Sequence, residues 1–321
     1  MKLAFVFPGQ GSQAVGMLDS LAALPAVADL IGAADAALGE PLSALIAGGP
    51  ADTLSLTVNT QPAMLLAGLA CHAAWRAAGG PDALAVAGHS LGEYTALTAA
   101  GAFEPADALR LVRLRAQAMQ EAVPVGSGSM AAILGLDDDQ VRTACRQATE
   151  SFAGQAPTTP GVADVVEPAN YNAPAQVVIA GSAAAVARAC EIAKALGAKR
   201  AMPLSVSAPF HSSLLRPAGE RLAVALRAMP PRAPRVPVVN NVDAAVQADP
   251  DAIVDALVRQ SYGPVRWVEV VRAIEAMGVT RVIEFGPGKV LTGLVKRIAP
   301  ALPCSAVFDA ASLEAALKEL G

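Results

Sequence analysis

The sequence predicts an α/β protein, in which a large, doubly wound parallel sheet carries an inserted small α+β subdomain. Short apolar runs alternate with helix-like segments along most of the chain, which is typical of a parallel sheet covered by helices on both faces. The order of elements changes to βαββαβ over residues 126–205, which predicts the insert and leaves 1–125 and 206–321 for the large domain. The 321 residues are 54% apolar and 16% charged, so there is enough material for a buried core of this size.

The first apolar run, residues 3–7, predicts a buried strand that ends at the glycine-rich loop 8–13. Part of this loop matches the Gly-x-Gly pattern of dinucleotide-binding turns. That fingerprint also expects a second strand about twenty residues further on that ends in an acidic residue. The alanine-rich residues 21–38 predict a helix there instead. The loop therefore favours the other use of such glycines, which is to bring backbone N–H groups close to an anion.

A glycine-flanked serine follows the second predicted strand. Residues 57–78 predict a long buried helix, 84–87 a strand, and the segment through 98 another helix, with GHSLG at 88–92 between strand and helix. This is the pattern of a nucleophile elbow, which would hold the Ser90 hydroxyl at the strand end, near free N–H groups of the helix. An ordinary β–α turn in which the serine caps the helix is the alternative.

The next predicted helix, 105–122, carries an arginine on its apolar face. On a helical wheel Arg115 falls among four apolar residues: Leu111, Val112, Ala118 and Met119. A guanidinium on such a face stays charged, and it needs an anionic partner or a path to solvent. The sequence leaves open an internal salt bridge, a stem that reaches the surface, or a bound anion.

The predicted insert has the element order of a ferredoxin-like subdomain. Its elements are strand 129–134, helix 137–149, surface loop 151–160, strands 165–171 and 176–180, helix 183–196 and strand 200–206. The large domain then resumes with a loop that contains His211. Its remaining elements are helix 214–229, strand 236–240, helices 249–260 and 264–277, strand 279–285, helix 290–298, a short strand near Ala306 and a helix from Ser312.

A serine nucleophile needs a base, and histidine is the usual one near neutral pH. The chain has three histidines. His72 lies inside the helix predicted for 57–78 and is expected in the core. His89 is adjacent to Ser90 in a tight turn, so its side chain should point away from the hydroxyl. His211 is the candidate by elimination.

Composition argues against several function classes. The net charge is −4 without a long run of either sign, so nothing indicates a nucleic-acid surface. No uncharged run reaches membrane-spanning length, and the N-terminal apolar run is too short for a signal peptide. The four cysteines lack metal or disulfide spacing, which fits a reducing compartment. We therefore expect a cytoplasmic protein without a membrane segment or a metal site.

Several motifs in a fixed order resemble one enzyme family. They are FPGQGSQ at 7–13, GHSLGEY at 88–94, RLRAQAMQEAVP around Arg115, NYNAPAQVVIAG at 170–181, APFHS at 208–212, VPVVNNVD at 236–243, LVRQSYGPVRW at 257–267 and EFGPGKVLTGL at 284–294. Together they resemble the malonyl-CoA:acyl-carrier-protein transacylases, whose large domain is hydrolase-like. The resemblance spans essentially the whole chain. Loop 151–160 looks longer than that family's usual loop.

The resemblance implies a role for each matching residue of the site. Ser90 would be the acylated nucleophile and His211 its general base. The backbone N–H groups of Gln10 and Leu91 would form the oxyanion hole. Arg115 would bind the malonyl carboxylate, since a bidentate arginine–carboxylate pair suits a diacid and distinguishes malonyl from acetyl.

Two further residues would support the catalytic pair. The main-chain carbonyl of Gln260 would orient His211, where many hydrolases use a carboxylate. Asn172 would lie close to the site.

The implied reaction is a ping-pong transfer of malonyl from coenzyme A to the phosphopantetheine thiol of acyl carrier protein, with no metal or redox cofactor. Acyl carrier proteins are acidic, so Lys199 and Arg200 are candidate docking residues. Two alternatives remain open from the residues alone: a serine esterase or thioesterase with the same elbow, and a non-catalytic nucleotide-binding module.

Overall fold

The structure is a computed structural model that describes residues 1–320, and these residues form two β-sheets. In chain order the strands are β1 Leu3–Phe7, β2 Ala83–Gly88, β3 Gly128–Leu134, β4 Val166–Ala173, β5 Gln176–Ser182, β6 Arg200–Pro203, β7 Val238–Val239, β8 Arg281–Phe285 and β9 Cys304–Val307. The helices are α1 Pro25–Leu38, α2 Leu42–Gly48, α3 Ala51–Leu54, α4 Thr57–Ala77, α5 Gly92–Ala99, α6 Pro105–Glu121, α7 Asp138–Glu150, α8 Ala183–Ala195, α9 Arg216–Ala228, α10 Pro250–Tyr262, α11 Trp267–Ala276, α12 Val290–Ile298 and α13 Ala310–Lys318.

The large sheet has the order β7-β2-β1-β8-β9, and every neighbouring pair is parallel. Successive side chains of a strand point to opposite faces. In β1, Phe5 and Phe7 join the core that contains α4 and α6, whereas Ala4 and Val6 join the core that contains α11 and α12. Helices therefore cover both faces, and the predicted α/β class with a parallel sheet is confirmed.

The small sheet is antiparallel and has the order β4-β5-β3-β6. Helices α7 and α8 pack on one of its faces, around Ile133 and Val177. On its other face, Met130 and Val178 share a core with Met119 of α6 and with Phe210. The cleft between the two sheets therefore opens beside the carboxyl ends of β1 and β2.

Most predicted elements occur within a few residues of their predicted bounds, but the structure corrects some of them. The helix predicted from 264 begins only at Trp267, because Val265 exchanges backbone hydrogen bonds with the β4 segment, donating to Ala169 and accepting from Tyr171. The strands predicted to reach 206 and to span 236–240 are shorter, at Arg200–Pro203 and Val238–Val239. Helices α2 and α3 were not predicted.

No helix within residues 1–320 is both long enough and apolar enough to cross a membrane.

An aromatic cluster fills the core between β1, β8 and α4, and it generates a stability prediction. Phe285 is fully buried and meets the rings of Phe5, His72 and Trp75 edge-on, with centroid distances of 4.9, 5.5 and 5.6 Å. Phe285→Ala leaves a cavity there and should lower the free energy of unfolding by about 3–5 kcal/mol, measured by urea denaturation. The matched surface change Val224→Ala, at a side chain that is 67% exposed, should cost less than about 0.5 kcal/mol. Equal losses for the two variants would contradict this account of the core.

Candidate active site

Ser90 occupies a tight turn between β2 and α5. Its φ of +53° lies in the left-handed region, where a non-glycine residue is strained. The glycines on either side are required by contact: a Cβ on Gly88 would lie 1.8 Å from the Gly92 backbone, and a Cβ on Gly92 would lie 2.0 Å from the Phe7 carbonyl oxygen. The predicted strand–turn–helix geometry of a nucleophile elbow is therefore present.

His211 is the histidine that reaches the Ser90 hydroxyl, with 2.6 Å between Oγ and Nε2. Its other ring nitrogen, Nδ1, lies 2.8 Å from the Gln260 carbonyl oxygen and 3.2 Å from that of Gly263. Because both partners are acceptors, Nδ1 carries the proton and Nε2 is free to accept from the serine. Burial, with help from the positive charge of Arg115, lowers the pKa of His211 to about 3. The imidazole is therefore neutral at physiological pH.

The other two histidines do not contact the Ser90 hydroxyl, as the sequence predicts. His89 donates from Nε2 to Oδ1 of Asn172 at 2.7 Å, and its ring meets the edge of Trp267. Asn172 lines the same cavity as Ser90, as its predicted place near the site requires. Its contact with the elbow runs through His89, the residue before Ser90. His72 packs among the aromatic rings of the core.

Arg115 is only 2% exposed, and its side chain reaches the serine from α6. One terminal nitrogen, Nη1, donates to Oε1 of Gln61 at 2.9 Å; the other, Nη2, donates to Oε1 of Gln260 at 2.9 Å and to Oγ of Ser90 at 3.3 Å. Every one of these acceptors is neutral, so the internal salt bridge is ruled out among the described residues. Burial lowers the pKa of Arg115 because desolvation penalises its charge, and an anion bound beside it would offset that penalty.

The two residues with a predicted backbone role lie on either side of the serine. Leu91 directly follows Ser90, and Gln10 belongs to the loop that follows β1; both line the cavity. Across residues 1–320, neither backbone N–H donates to another protein group. Both donors are therefore available to an oxygen that forms near Ser90.

Four side chains that shape the site were missed by sequence reasoning. Asn241 accepts from the Ser90 N–H and donates to the Gly88 carbonyl oxygen, both at 2.7 Å, and so fixes the turn. The Gln260 side-chain amide, the Gln61 amide and the buried carboxylate of Glu93 are the other three. Glu93 and Asn241 stand inside motifs that the sequence singled out, but a motif does not state which of its polar side chains are buried.

The two candidate docking residues are exposed and lie away from the serine. Arg200 pairs with Leu134 at one end of β3, whereas Met130, near the other end, lines the cavity. Lys199 precedes Arg200 directly. The structure does not bring these two residues to Ser90 and His211, and their docking role stays a prediction.

The cavity has a volume of about 230 Å³ and is mainly apolar. Ser90, His211 and Arg115 meet at its polar end. Six of its apolar lining residues come from distant parts of the chain: Met119, Met130, Val178, Leu204, Phe210 and Leu291. An apolar pocket with a few convergent polar groups is the usual form of a small-molecule site. At the polar end, His211 can activate the Ser90 hydroxyl, and Arg115 can bind a carboxylate. The N–H groups of Gln10 and Leu91 can stabilise an oxyanion.

Known proteins resemble this chain along its whole length. Residues 4–302 match the family model described as the acyl transferase domain. The malonyl CoA-acyl carrier protein transacylase of Escherichia coli (strain K12) is 52% identical over 318 residues, which cover 99% of both chains.

Two solved structures also superimpose on it. The acyl-carrier-protein S-malonyltransferase of Burkholderia pseudomallei 1710b is 60% identical with a TM-score of 0.93, covering 99% of this chain and 100% of that one. A malonyl-transacylase in complex with its type II PKS acyl-carrier protein is 48% identical, with a TM-score of 0.93 and the same coverage. The chain therefore belongs to the acyl transferase domain family and is similar, from end to end, to malonyl-CoA:acyl-carrier-protein transacylases.

Proposed function

We propose that the protein is a malonyl-CoA:acyl-carrier-protein transacylase that works through an acyl-serine. The observation that carries this is the convergence of Ser90, His211 and a buried Arg115 without a bonded carboxylate. The serine and histidine supply acyl-transfer chemistry, and the arginine supplies a place for a second acid group. Full-length similarity to named transacylases supports the same function.

In the first half-reaction, Ser90 Oγ attacks the thioester carbonyl of malonyl-CoA while Nε2 of His211 takes the hydroxyl proton. The carbonyl oxygen becomes an oxyanion, which the N–H groups of Gln10 and Leu91 stabilise. The C–S bond then breaks, and the imidazolium returns its proton to the leaving coenzyme A thiolate. A malonyl ester of Ser90 remains.

The second half-reaction runs the same steps with a new thiol. Nε2 of His211 takes the proton of the phosphopantetheine thiol of acyl carrier protein, and the sulfur attacks the ester carbonyl. The oxyanion collapses, the C–Oγ bond breaks, and Ser90 regains its proton from His211. The carbonyl oxygens of Gln260 and Gly263 stabilise the imidazolium at Nδ1 in both halves.

Arg115 selects the acyl group. Its two terminal nitrogens present a planar fork beside Ser90, which matches a carboxylate bidentately. An acetyl group has nothing to place there. Asn172 holds His89 in the wall of the same cavity and contributes to the shape of the site.

Two alternative functions fit the site less well. Many serine hydrolases orient the histidine with a carboxylate, and here Nδ1 of His211 faces two carbonyl oxygens instead. Binding a nucleotide does not require a serine hydroxyl 2.6 Å from a histidine nitrogen, whereas acyl transfer through a serine does require such a pair. Both observations favour the transacylase.

The remaining predictions complete this proposal. The base, nucleophile and oxyanion donors all come from the chain, so we propose that no metal or redox cofactor takes part. The βαββαβ order and the antiparallel sheet support a ferredoxin-like subdomain at 126–205, inserted between 1–125 and 206–321. Lys199 and Arg200 are proposed to meet the acidic carrier protein. The proposed location is the cytoplasm.

Ser90→Ala removes the nucleophile and should lower kcat by a factor on the order of 10⁶. Adding His211→Ala should cost little more, because the two residues act as a unit. Intact-protein mass spectrometry after malonyl-CoA should detect one malonyl adduct on the wild type and none on Ser90→Ala. The control Ser213→Ala, on the loop that carries His211, should keep the adduct. An adduct that persists in Ser90→Ala would overturn the assignment.

Arg115→Ala tests the choice of acyl group. Removing one member of a desolvated charge pair costs about 2–5 kcal/mol, so kcat/KM for malonyl-CoA should fall roughly 30- to 5,000-fold. The slow reaction of acetyl-CoA should stay the same or speed up, since no carboxylate is left without its partner. Arg115→Lys should restore the malonyl reaction only in part, because a point charge lacks the planar fork.

The control for this series is Arg110→Ala, a half-exposed arginine of the same helix that is paired with Asp107. It should leave kcat/KM for both thioesters near the wild-type values. Equal losses on malonyl and acetyl in Arg115→Ala would mean that Arg115 serves only the fold.

A further inference from the structure

Glu93 is a buried carboxylate in the first turn of α5, three residues after the proposed nucleophile Ser90. It is 2% exposed. Its Oε2 accepts from Nε2 of Gln260 at 3.0 Å and from the backbone N–H of Asn241 at 2.9 Å. The proposed mechanism gives this residue no step, although burying a charged group is costly unless it is paired.

The contacts of Glu93 decide which way the Gln260 amide points. Nε2 of Gln260 faces two acceptors, Oε2 of Glu93 and the Ser90 carbonyl oxygen at 2.8 Å. Turning the amide over would set its oxygen against both of them. The amide oxygen is therefore held toward Arg115, where it accepts from Nη2 at 2.9 Å. Glu93 thus reaches Arg115 through one intervening amide.

Glu93 and Arg115 also interact through their opposite charges. The hydrogen-bond partners of Arg115 are neutral, and Glu93 is the carboxylate whose field acts on it. With Glu93 ionised, the pair is neutral before substrate arrives. A malonyl carboxylate would then be a second negative charge beside one buried guanidinium, and like charges sharing a site favour protonation of one of them.

We propose that Glu93 is a positioning residue that holds Arg115 through the Gln260 amide and takes up a proton when the malonyl carboxylate binds. This inference rests on the proposed function, because it assumes a malonyl substrate at Arg115. The proton comes from solvent and leaves again when the malonyl group departs.

The surroundings of Glu93 support proton exchange near neutral pH. Burial raises the pKa of Glu93 to about 7, against the opposite effects of Gln260, Asn241 and Arg115. The other charged group that faces it is Asp243, which raises that pKa slightly and is itself paired with Arg259.

Two further titratable groups lie close to this pair and stay neutral. Burial raises the pKa of the neighbouring Tyr94, so its hydroxyl keeps its proton. Burial lowers the pKa of His211, across Ser90, to about 3, so its imidazole stays neutral. Neither group is expected to change charge between pH 6 and 9, so the pH dependence of malonyl binding in that range is assigned to Glu93.

Two substitutions of Glu93 distinguish its role in positioning Arg115 from the role of its own charge. Glu93→Gln keeps an oxygen for Gln260 and Asn241 but cannot ionise. Glu93→Ala removes the acceptor, so kcat/KM for malonyl-CoA should fall roughly tenfold more than for acetyl-CoA. In the wild type, KM for malonyl-CoA should rise as pH rises above 7, by at most about tenfold per unit. In Glu93→Gln it should stay flat from pH 6 to 9, and acetyl-CoA should show no such rise in either protein.

Proton uptake is the readout that does not depend on turnover. Malonyl-CoA is titrated calorimetrically into Ser90→Ala in two buffers of different ionisation enthalpy. Close to one proton should be taken up at pH 8, where Glu93 is ionised, and little at pH 6, where it is already protonated. The double variant Ser90→Ala/Glu93→Gln should take up none. The control Glu284→Gln removes another fully buried carboxylate, on β8, and should keep the wild-type pH dependence.

The outcomes distinguish this inference from the proposed function. A malonyl adduct on wild-type Ser90 supports the function whatever Glu93 does. If that adduct forms but Glu93→Gln keeps the wild-type rise in KM and the wild-type proton uptake, the charge exchange is wrong. If Glu93→Ala loses malonyl and acetyl activity equally, Glu93 supports the fold and does not position Arg115.

Discussion

A guanidinium buried beside the Ser90 hydroxyl, with only neutral hydrogen-bond partners, is the constraint on which the rest of the site depends. Arg115 is bonded by two glutamine amides and the serine hydroxyl. Such a charge is costly in a protein interior, and its natural compensation is an anion from outside. The cavity gives a substrate access to Arg115, the amides of Gln61 and Gln260 hold the guanidinium in place, and Glu93 holds the Gln260 amide. The arrangement suits the binding of a carboxylate at Arg115.

The fold supplies the rigidity that this arrangement needs. The turn at Ser90 is strained, and it is held by Asn241, by two glycines with no room for a side chain, and by the carboxyl end of β1. His211 also has a positive φ, +64°, and its ring is fixed by carbonyl oxygens of the α10 end. Residues from distant parts of the chain therefore meet at one edge of the sheet, where open α/β sheets commonly bind ligands.

Sequence reasoning reached Ser90, His211, Arg115 and the Gln260 carbonyl oxygen that contacts His211, but it missed the side chains that hold the Ser90 turn and Arg115. Ser90 was found from a strand–glycine–helix pattern, Arg115 from its place on an apolar helix face, and His211 by elimination. The contacts of Glu93 and Gln61 were not predicted, because the pattern of a helix does not show whether one of its polar residues is buried or exposed. The late start of α11 was missed for a related reason: Val265 pairs with a strand about a hundred residues earlier, and such a contact leaves no local pattern.

The most direct test of the account is a crystal structure of the enzyme malonylated on Ser90. The account predicts that both oxygens of the malonyl carboxylate lie about 2.7–2.9 Å from the Nη1 and Nη2 atoms of Arg115, as in a bidentate ion pair. The ester carbonyl oxygen should face the N–H groups of Gln10 and Leu91. A carboxylate more than about 4 Å from the guanidinium, with Arg115 still bonded only to Gln61 and Gln260, would contradict the account.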